Sequence, residues 1–150
     1  MPSWFLCKIK YKKEDNKGRI KTVSEQYLVD AVSFTEAEKR LHIELGSLLG
    51  EFHLSNITRS NVADVYLYED SDIWYRCKIC YISIDEAQER EKNITTNMLL
   101  TANDIKTAYE RVQHQLRTMV VNYEVPEISQ VAILEVFANY EMPKLPAKLV

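Results

Sequence analysis

The sequence predicts an α+β protein made of two tandem copies of one β-β-α-β-β unit. Three observations predict it. The octets "WFLCKIKY" (4–11) and "WYRCKICY" (74–81) each open with one of the chain's two tryptophans and share Trp, Cys, Lys, Ile and Tyr in the same order. Beyond the octets the correspondence continues at an offset that grows from 70 to 71, so that one extra residue sits in the second copy's first loop. Ala31 then falls on Ala102, Ala37 on Ala108, Leu41 on Val112, Phe52 on Tyr123 and Ile57 on Ile128. Lastly, each copy passes from a two-residue period to a helical period and back, which is the signature of strands flanking a helix.

The elements follow in order. Residues 4–12 alternate, with Phe5, Cys7, Ile9 and Tyr11 on one face and Trp4, Leu6, Lys8 and Lys10 on the other, as a half-buried strand requires. "EDNKG" is a turn in which Gly18 is free to take positive φ. Residues 20–30 make the second strand of a hairpin, with Val23, Tyr27 and Val29 on one face. Ser33 with Glu36 three residues on is a capping box, and Phe34, Ala37, Leu41, Leu45 and Leu48 form the apolar stripe of the helix it starts. Gly46 and Gly50 help that helix end. Residues 51–57 and 62–68 read as two more strands. In the second copy Asn103 is the expected N-cap, and Ile105, Ala108, Val112, Leu116 and Met119 the stripe. Pro126 is tolerated near a strand start, where an N–H is not needed.

One such unit of roughly 70 residues buries too little surface to stand alone. The expected arrangement is therefore a single compact domain over 1–141, in which repeats 4–69 and 74–141 form antiparallel sheets with one helix each, packed about a pseudo-twofold axis. The segment 142–150 is an extended C-terminal tail, because Pro143 and Pro146 block a helix.

Composition narrows the class. At 46% hydrophobic and 27% charged residues, the chain reads as an ordinary soluble globular protein. No apolar run approaches the ~20 residues needed to span a bilayer, and the start "MPSWFLCKIKYKK" lacks the pattern of a signal peptide. Three cysteines, an odd number, suggest free thiols and a cytoplasmic location. The net charge is −3, but it is segregated: between Lys8 and Lys21 seven basic side chains face two acidic ones.

Catalytic chemistry is not announced. Cys77 and Cys80 form a C-x-x-C, but inside a strand that spacing sends the two sulfurs to opposite faces, and no second ligand pair completes a zinc site. Cys7 and Cys77 read as small core residues. His42, His53 and His114 are isolated, and three glycines supply no phosphate loop. Glu36, Glu38 and Glu44, with Lys39 and Arg40 beside them, read as a solvated helix face. The expectation is a non-enzyme with no metal and no cofactor.

The outward faces of the octets are more informative. Trp4, Lys8 and Lys10 share one face, and Trp74, Arg76 and Lys78 share its counterpart. An aromatic beside two cations, displayed twice, suits single-stranded nucleic acid, because bases stack on aromatics and cations follow the phosphates. Lys12, Lys13, Lys17, Arg19 and Lys21 would extend the track along the hairpin. The competing reading seats both tryptophans in a packing interface, between the units or in a homodimer, and treats the lysines as strand-edge protection.

The W-[FY]-x-C-K octets, "YLVDAVSFTEAE" and "SDIWYRCKI" resemble an uncharacterised domain family of Bacteroidetes and their phages, over most of residues 4–140. The resemblance transfers no catalytic residue, and its phage occurrence implies nucleic-acid handling or host interaction. A weaker architectural similarity links residues 51–122, read as β-β-β-β-α, to the PUR and whirly-type single-strand binders. Many phage and bacterial single-strand binders end in an acidic tail, whereas this chain ends "PKLPAKLV". The expected function is non-enzymatic binding of single-stranded nucleic acid, DNA first. The alternative is a protein-interaction module, such as a phage factor that binds a host protein.

Overall fold

The computed structural model describes residues 3–148. The elements run β1 (Ser3–Glu14), β2 (Ile20–Ala31), α1 (Phe34–Leu49), β3 (His53–Arg59), β4 (Val62–Tyr68), β5 (Trp74–Asp85), β6 (Arg90–Thr101), α2 (Ile105–Gln115), β7 (Tyr123–Val131), β8 (Ile133–Phe137) and β9 (Lys144–Leu145). The predicted α+β class and the order β-β-α-β-β in each copy are both found. No helix among the described residues is long and apolar enough to cross a membrane.

Two compact units emerge, and their limits differ from those of the sequence repeats. The first runs to Ser60 and adds Ala132–Glu141; the second comprises Asn61–Val131 and the chain from Met142 onward. The first sheet has the order β3-β1-β2-β8 and the second β7-β5-β6-β4-β9. Each unit therefore receives β8 or β4, its fourth strand, from the other repeat. These strands pair parallel with β2 and β6, whereas the hairpins and β3 and β7 pair antiparallel, so both sheets are mixed.

The pairing details repeat. Trp4 lies opposite Asp30, as Trp74 lies opposite Thr101. Register breaks between Lys8 and Ile9 on β3 and between Lys78 and Cys80 on β7, and again between Gln26 and Tyr27 on β8 and between Asn97 and Met98 on β4. The break on β7 leaves Pro126 in a bulge, where its missing N–H removes no ladder bond. The extra loop residue adds one more rung, Asp85 opposite Arg90, and Glu89 takes a positive φ of 51° in the tighter turn.

Alternation decides the core. Phe5, Cys7 and Ile9 of β1 meet Tyr27, Val29, Ala31 and Ala37, Leu41, Leu45 of α1. Tyr75, Cys77 and Ile79 of β5 meet Met98, Leu100, Ala102 and Ala108, Val112 of α2. Each large aliphatic or aromatic side chain so buried contributes about 1.5–3 kcal/mol. The predicted stripes are too wide: Phe34, Leu48 and Ile105 are exposed. α2 also ends at Gln115, so Leu116 and Met119 lie beyond it. Ser33 caps α1 by accepting from the Glu36 N–H at 3.1 Å, as predicted. The cap of α2 is Asp104, which accepts from the Thr107 N–H at 2.7 Å, and not Asn103, whose amide donates to the Asp70 carbonyl. Asp104 is the 71-offset counterpart of Ser33, and as a carboxylate it also answers the helix dipole.

An arginine on each helix ties the borrowed strand's exit to the end of the middle strand. Arg40 donates to the Asp30 carbonyl and, at 2.9 Å, to the Ala138 carbonyl. It is therefore not part of a solvated face. Its counterpart Arg111 is buried, donates to the Thr101 carbonyl at 2.8 Å and the Asp70 carboxylate at 2.9 Å, and lies over the Tyr68 ring at 4.2 Å. Arg111 also reaches the Ala147 carbonyl, while Glu69 accepts from the Ala147 N–H and β9 pairs with β4, so the tail is anchored as far as Ala147.

Two outcomes follow. A fragment ending after β4 lacks β8 and strands β4 without β6, so it gives no folded monomer; analytical ultracentrifugation with near-UV circular dichroism reads this. Arg111→Met leaves Asp70 unpaired and empties a buried site, and costs on the order of 3 kcal/mol in urea titrations. The Arg111 hydrogen bond also holds the Asp70 carboxyl below the usual carboxylate range. A lowered native pKa stabilises above the unfolded value of about 3.9 and is lost as pH falls through the native one, so Asp70→Asn flattens the acid limb of stability against pH.

Candidate functional site

The helix-free face of the first sheet carries the cations expected there. Lys8, Lys10 and Lys12 alternate along β1, all exposed, and among the described residues none has a carboxylate within ion-pair distance. Across the hairpin Gln26, Ser24 and Thr22 stand opposite them. On β3, Asn56 lies opposite Lys8 and His53 opposite Lys10. The i, i+2 spacing on a strand sets neighbouring ammonium groups about 6.6–6.8 Å apart at their bases. The row is thus a line of cations bordered by amides and hydroxyls.

β3 begins opposite Lys10, and β1 continues past it. The step leaves a notch of about 570 Å³ lined by Lys10, Tyr11, Lys12, Thr22, Glu51, Phe52 and His53. Phe52 stacks on His42 with ring centroids 4.6 Å apart, which fixes one wall. The Tyr11 hydroxyl donates to Glu25 at 2.6 Å, and Tyr27 donates to the other oxygen of the same carboxylate at 2.7 Å. That bond pushes the Tyr11 hydroxyl up to about 12, so it stays protonated and in place. Lys10 and Lys12 border this notch from the helix-free face, and Tyr11 and Phe52 border it from the helix side, where both rings pack against the core. Sequence reasoning missed Tyr11, Phe52 and His53 as site residues; the signal was the Phe52–Tyr123 correspondence, read only as evidence of the repeat.

The second unit repeats the shape and changes the chemistry. Its notch, about 500 Å³, is lined by Cys80, Tyr81, Ile82, Asn93, Thr95, Asn122, Tyr123 and Glu124. Cys80 stands where Lys10 stands, Ile82 for Lys12 and Glu124 for His53. The lysine row is therefore not repeated in the second unit, whose cations on this face are Arg76 and Lys78. Arg76 is paired with Glu127 across the strands at 3.5 Å, and Lys78 is half-buried between Asn97 and Glu127.

The tryptophans also part company. Trp4 is half-buried beside Asp30, two positions beyond Leu6 from the lysine row. Trp74 is 4% exposed, opposite the buried Thr101, so its ring offers no stacking surface. The expectation of two open indoles does not hold for Trp74. Lys13 and Lys21 lie directly opposite each other on the face away from the row, and Arg19 sits in the turn. Lys13 and Lys21 do not extend the Lys8–Lys10–Lys12 track, because side chains on a strand change face at every residue.

Cys7 and Cys77 are fully buried, and desolvation pushes both thiols up to about 12. Cys80 lies on the opposite face, 3.6 Å from the Thr95 hydroxyl. Among the described residues no three His, Cys, Asp or Glu side chains converge as metal ligands would.

Residues 3–140 match the family described as a domain of unknown function, DUF4494. The chain belongs to this family. A search of curated proteins returns no match.

The three thiols differ enough in burial to be told apart. A thiol reagent at neutral pH modifies Cys80 alone in the native protein, and Cys7 and Cys77 only after denaturation, as peptide mass mapping would report.

Proposed function

We propose that the protein is a non-catalytic binder of single-stranded nucleic acid, DNA in the first instance, acting in the cytoplasm. It binds on the helix-free face of the first unit. The observation that carries this reading is the row Lys8, Lys10 and Lys12: three exposed cations with no carboxylate partner among the described residues, running to the edge beyond β3, where Tyr11, Phe52 and Glu51 line the notch and the two rings pack on its helix side. Like charges spaced along one strand repel each other, and an extended phosphodiester chain laid along them relieves that repulsion. Gln26, Ser24, Thr22 and Asn56 offer sequence-tolerant hydrogen bonds beside it. Phe52 and Tyr11 supply apolar ring surface for a base at the notch, worth about 1–3 kcal/mol where stacking occurs. Phosphate contacts of this kind bind without reading sequence. The resemblance to a family of Bacteroidetes and their phages supports the same role.

The second unit favours protein contacts. Its notch has lost both lysines, and Ile82 and Ile84 are exposed on the same face. A protein-interaction role, with a host or phage partner, is therefore the second reading, confined to this unit.

Fluorescence anisotropy of labelled oligothymidylate tests the proposal. Binding is expected at low salt, stronger than to duplex. Replacing Lys8, Lys10 and Lys12 together by Gln reduces the slope of log K against log salt by about 2, at ~0.7 per phosphate contact on a single strand. Trp74→Phe leaves the affinity unchanged. Absence of binding at low salt, or a slope indifferent to the triple substitution, would remove the proposal.

A further inference from the structure

The two β-hairpins outrun their sheets. β3 stops opposite Lys10 and β8 opposite Gln26, so Tyr11–Glu14 and residues 20–25 project as a two-stranded arm with both edges unpaired. β7 stops opposite Tyr81 and β4 opposite Asn97, so residues 82–96 form an equivalent arm. Open strand edges are templates for pairing with another chain.

The arms are opposite in charge. Residues 11–25 hold five basic side chains against three acidic ones; Asp15 is occupied in the turn by the Lys17 and Arg19 N–H groups at 2.8 Å each and lies 3.7 Å from the Lys21 ammonium, and Glu25 accepts from the Tyr11 and Tyr27 hydroxyls. Residues 81–94 hold Asp85, Glu86, Glu89 and Glu91 against Arg90 and Lys92. On the first arm Lys13 stands directly opposite Lys21, a like-charge pair that destabilises an isolated ribbon. Both arms also expose large apolar side chains: Ile20 at 72%, Ile82 at 48% and Ile84 at 68%.

We infer that the two arms are the complementary halves of a contact between copies of this chain, the acidic β5–β6 arm of one copy lying along the basic β1–β2 arm of the next. The charges select the partner, the isoleucines give the contact an apolar centre, and the open edges allow main-chain pairing. Because the two surfaces differ, the contact is head-to-tail, and it builds a ring or a filament. It uses Lys13, Lys17, Arg19 and Lys21, and does not depend on the Lys8–Lys10–Lys12 row or on nucleic-acid binding.

Sedimentation velocity of nuclease-treated full-length protein, over a range of concentrations at low and at high salt, decides the matter. At low salt the mass rises with concentration to twice the monomer or more, and high salt returns it to the monomer. One variant reverses the basic arm (Lys13→Glu, Lys17→Glu, Lys21→Glu) and another the acidic arm (Glu86→Lys, Glu89→Lys, Glu91→Lys). Each alone stays monomeric at low salt, and their equimolar mixture assembles again. All six positions are exposed, and circular dichroism checks that both variants fold. A monomer at every low-salt concentration, association that survives either reversal, or a mixture that fails to reassemble would overturn the inference.

Discussion

Parallel pairing of β8 on β2 and of β4 on β6 is the constraint on which the rest of the structure depends. A parallel neighbour cannot arrive through a tight hairpin, so each of these strands needs a long connection, and here the connection is the chain's passage from one unit into the other. Arg40 and Arg111 hold the exits of the borrowed strands against the ends of β2 and β6. Once β8 is placed, Phe137 stacks on Tyr27 with centroids 5.5 Å apart and closes the core beneath α1. The tail strand β9 then covers the outer edge of β4, which would otherwise be open.

On this shared frame the two units differ where a difference costs little energy. The helix-facing positions are held alike, Cys7 with Cys77 and Ile9 with Ile79, because a buried side chain must fit its neighbours. The exposed ends of the hairpins carry no such demand, and surface changes there cost little stability. Lys10 and Lys12 on one side, and Cys80 and Ile82 on the other, occupy equivalent places in two notches of similar volume. One scaffold therefore offers an anion-attracting surface in the first unit and an apolar, acidic one in the second.

Much of this was legible beforehand. The octets, the turn at Gly18, the Ser33 cap and the strand alternation are local signals, and the backbone obeys them. The shift of the second cap to Asp104 was legible too, since the repeat register points to it. Arg40 reads as a surface residue by charge alone, and its role needs the Ala138 carbonyl, 98 residues away, to be in reach. The stripes overreached at Phe34, Leu48 and Ile105, because a helix lying on a sheet buries a narrower strip than its apolar periodicity suggests.

By itself the sequence determined the element order, the faces of each strand, the duplication of the scheme and the segregation of charge, all set by neighbours a few residues apart. Only the tertiary structure decided which repeat supplies each fourth strand, that Trp74 is buried while Lys8, Lys10 and Lys12 are not, and that Arg76 lies within 3.5 Å of Glu127 across the strands. Those outcomes depend on contacts between distant segments. An identical pattern of alternation is compatible with either an open or a covered face until the strands that flank it are known.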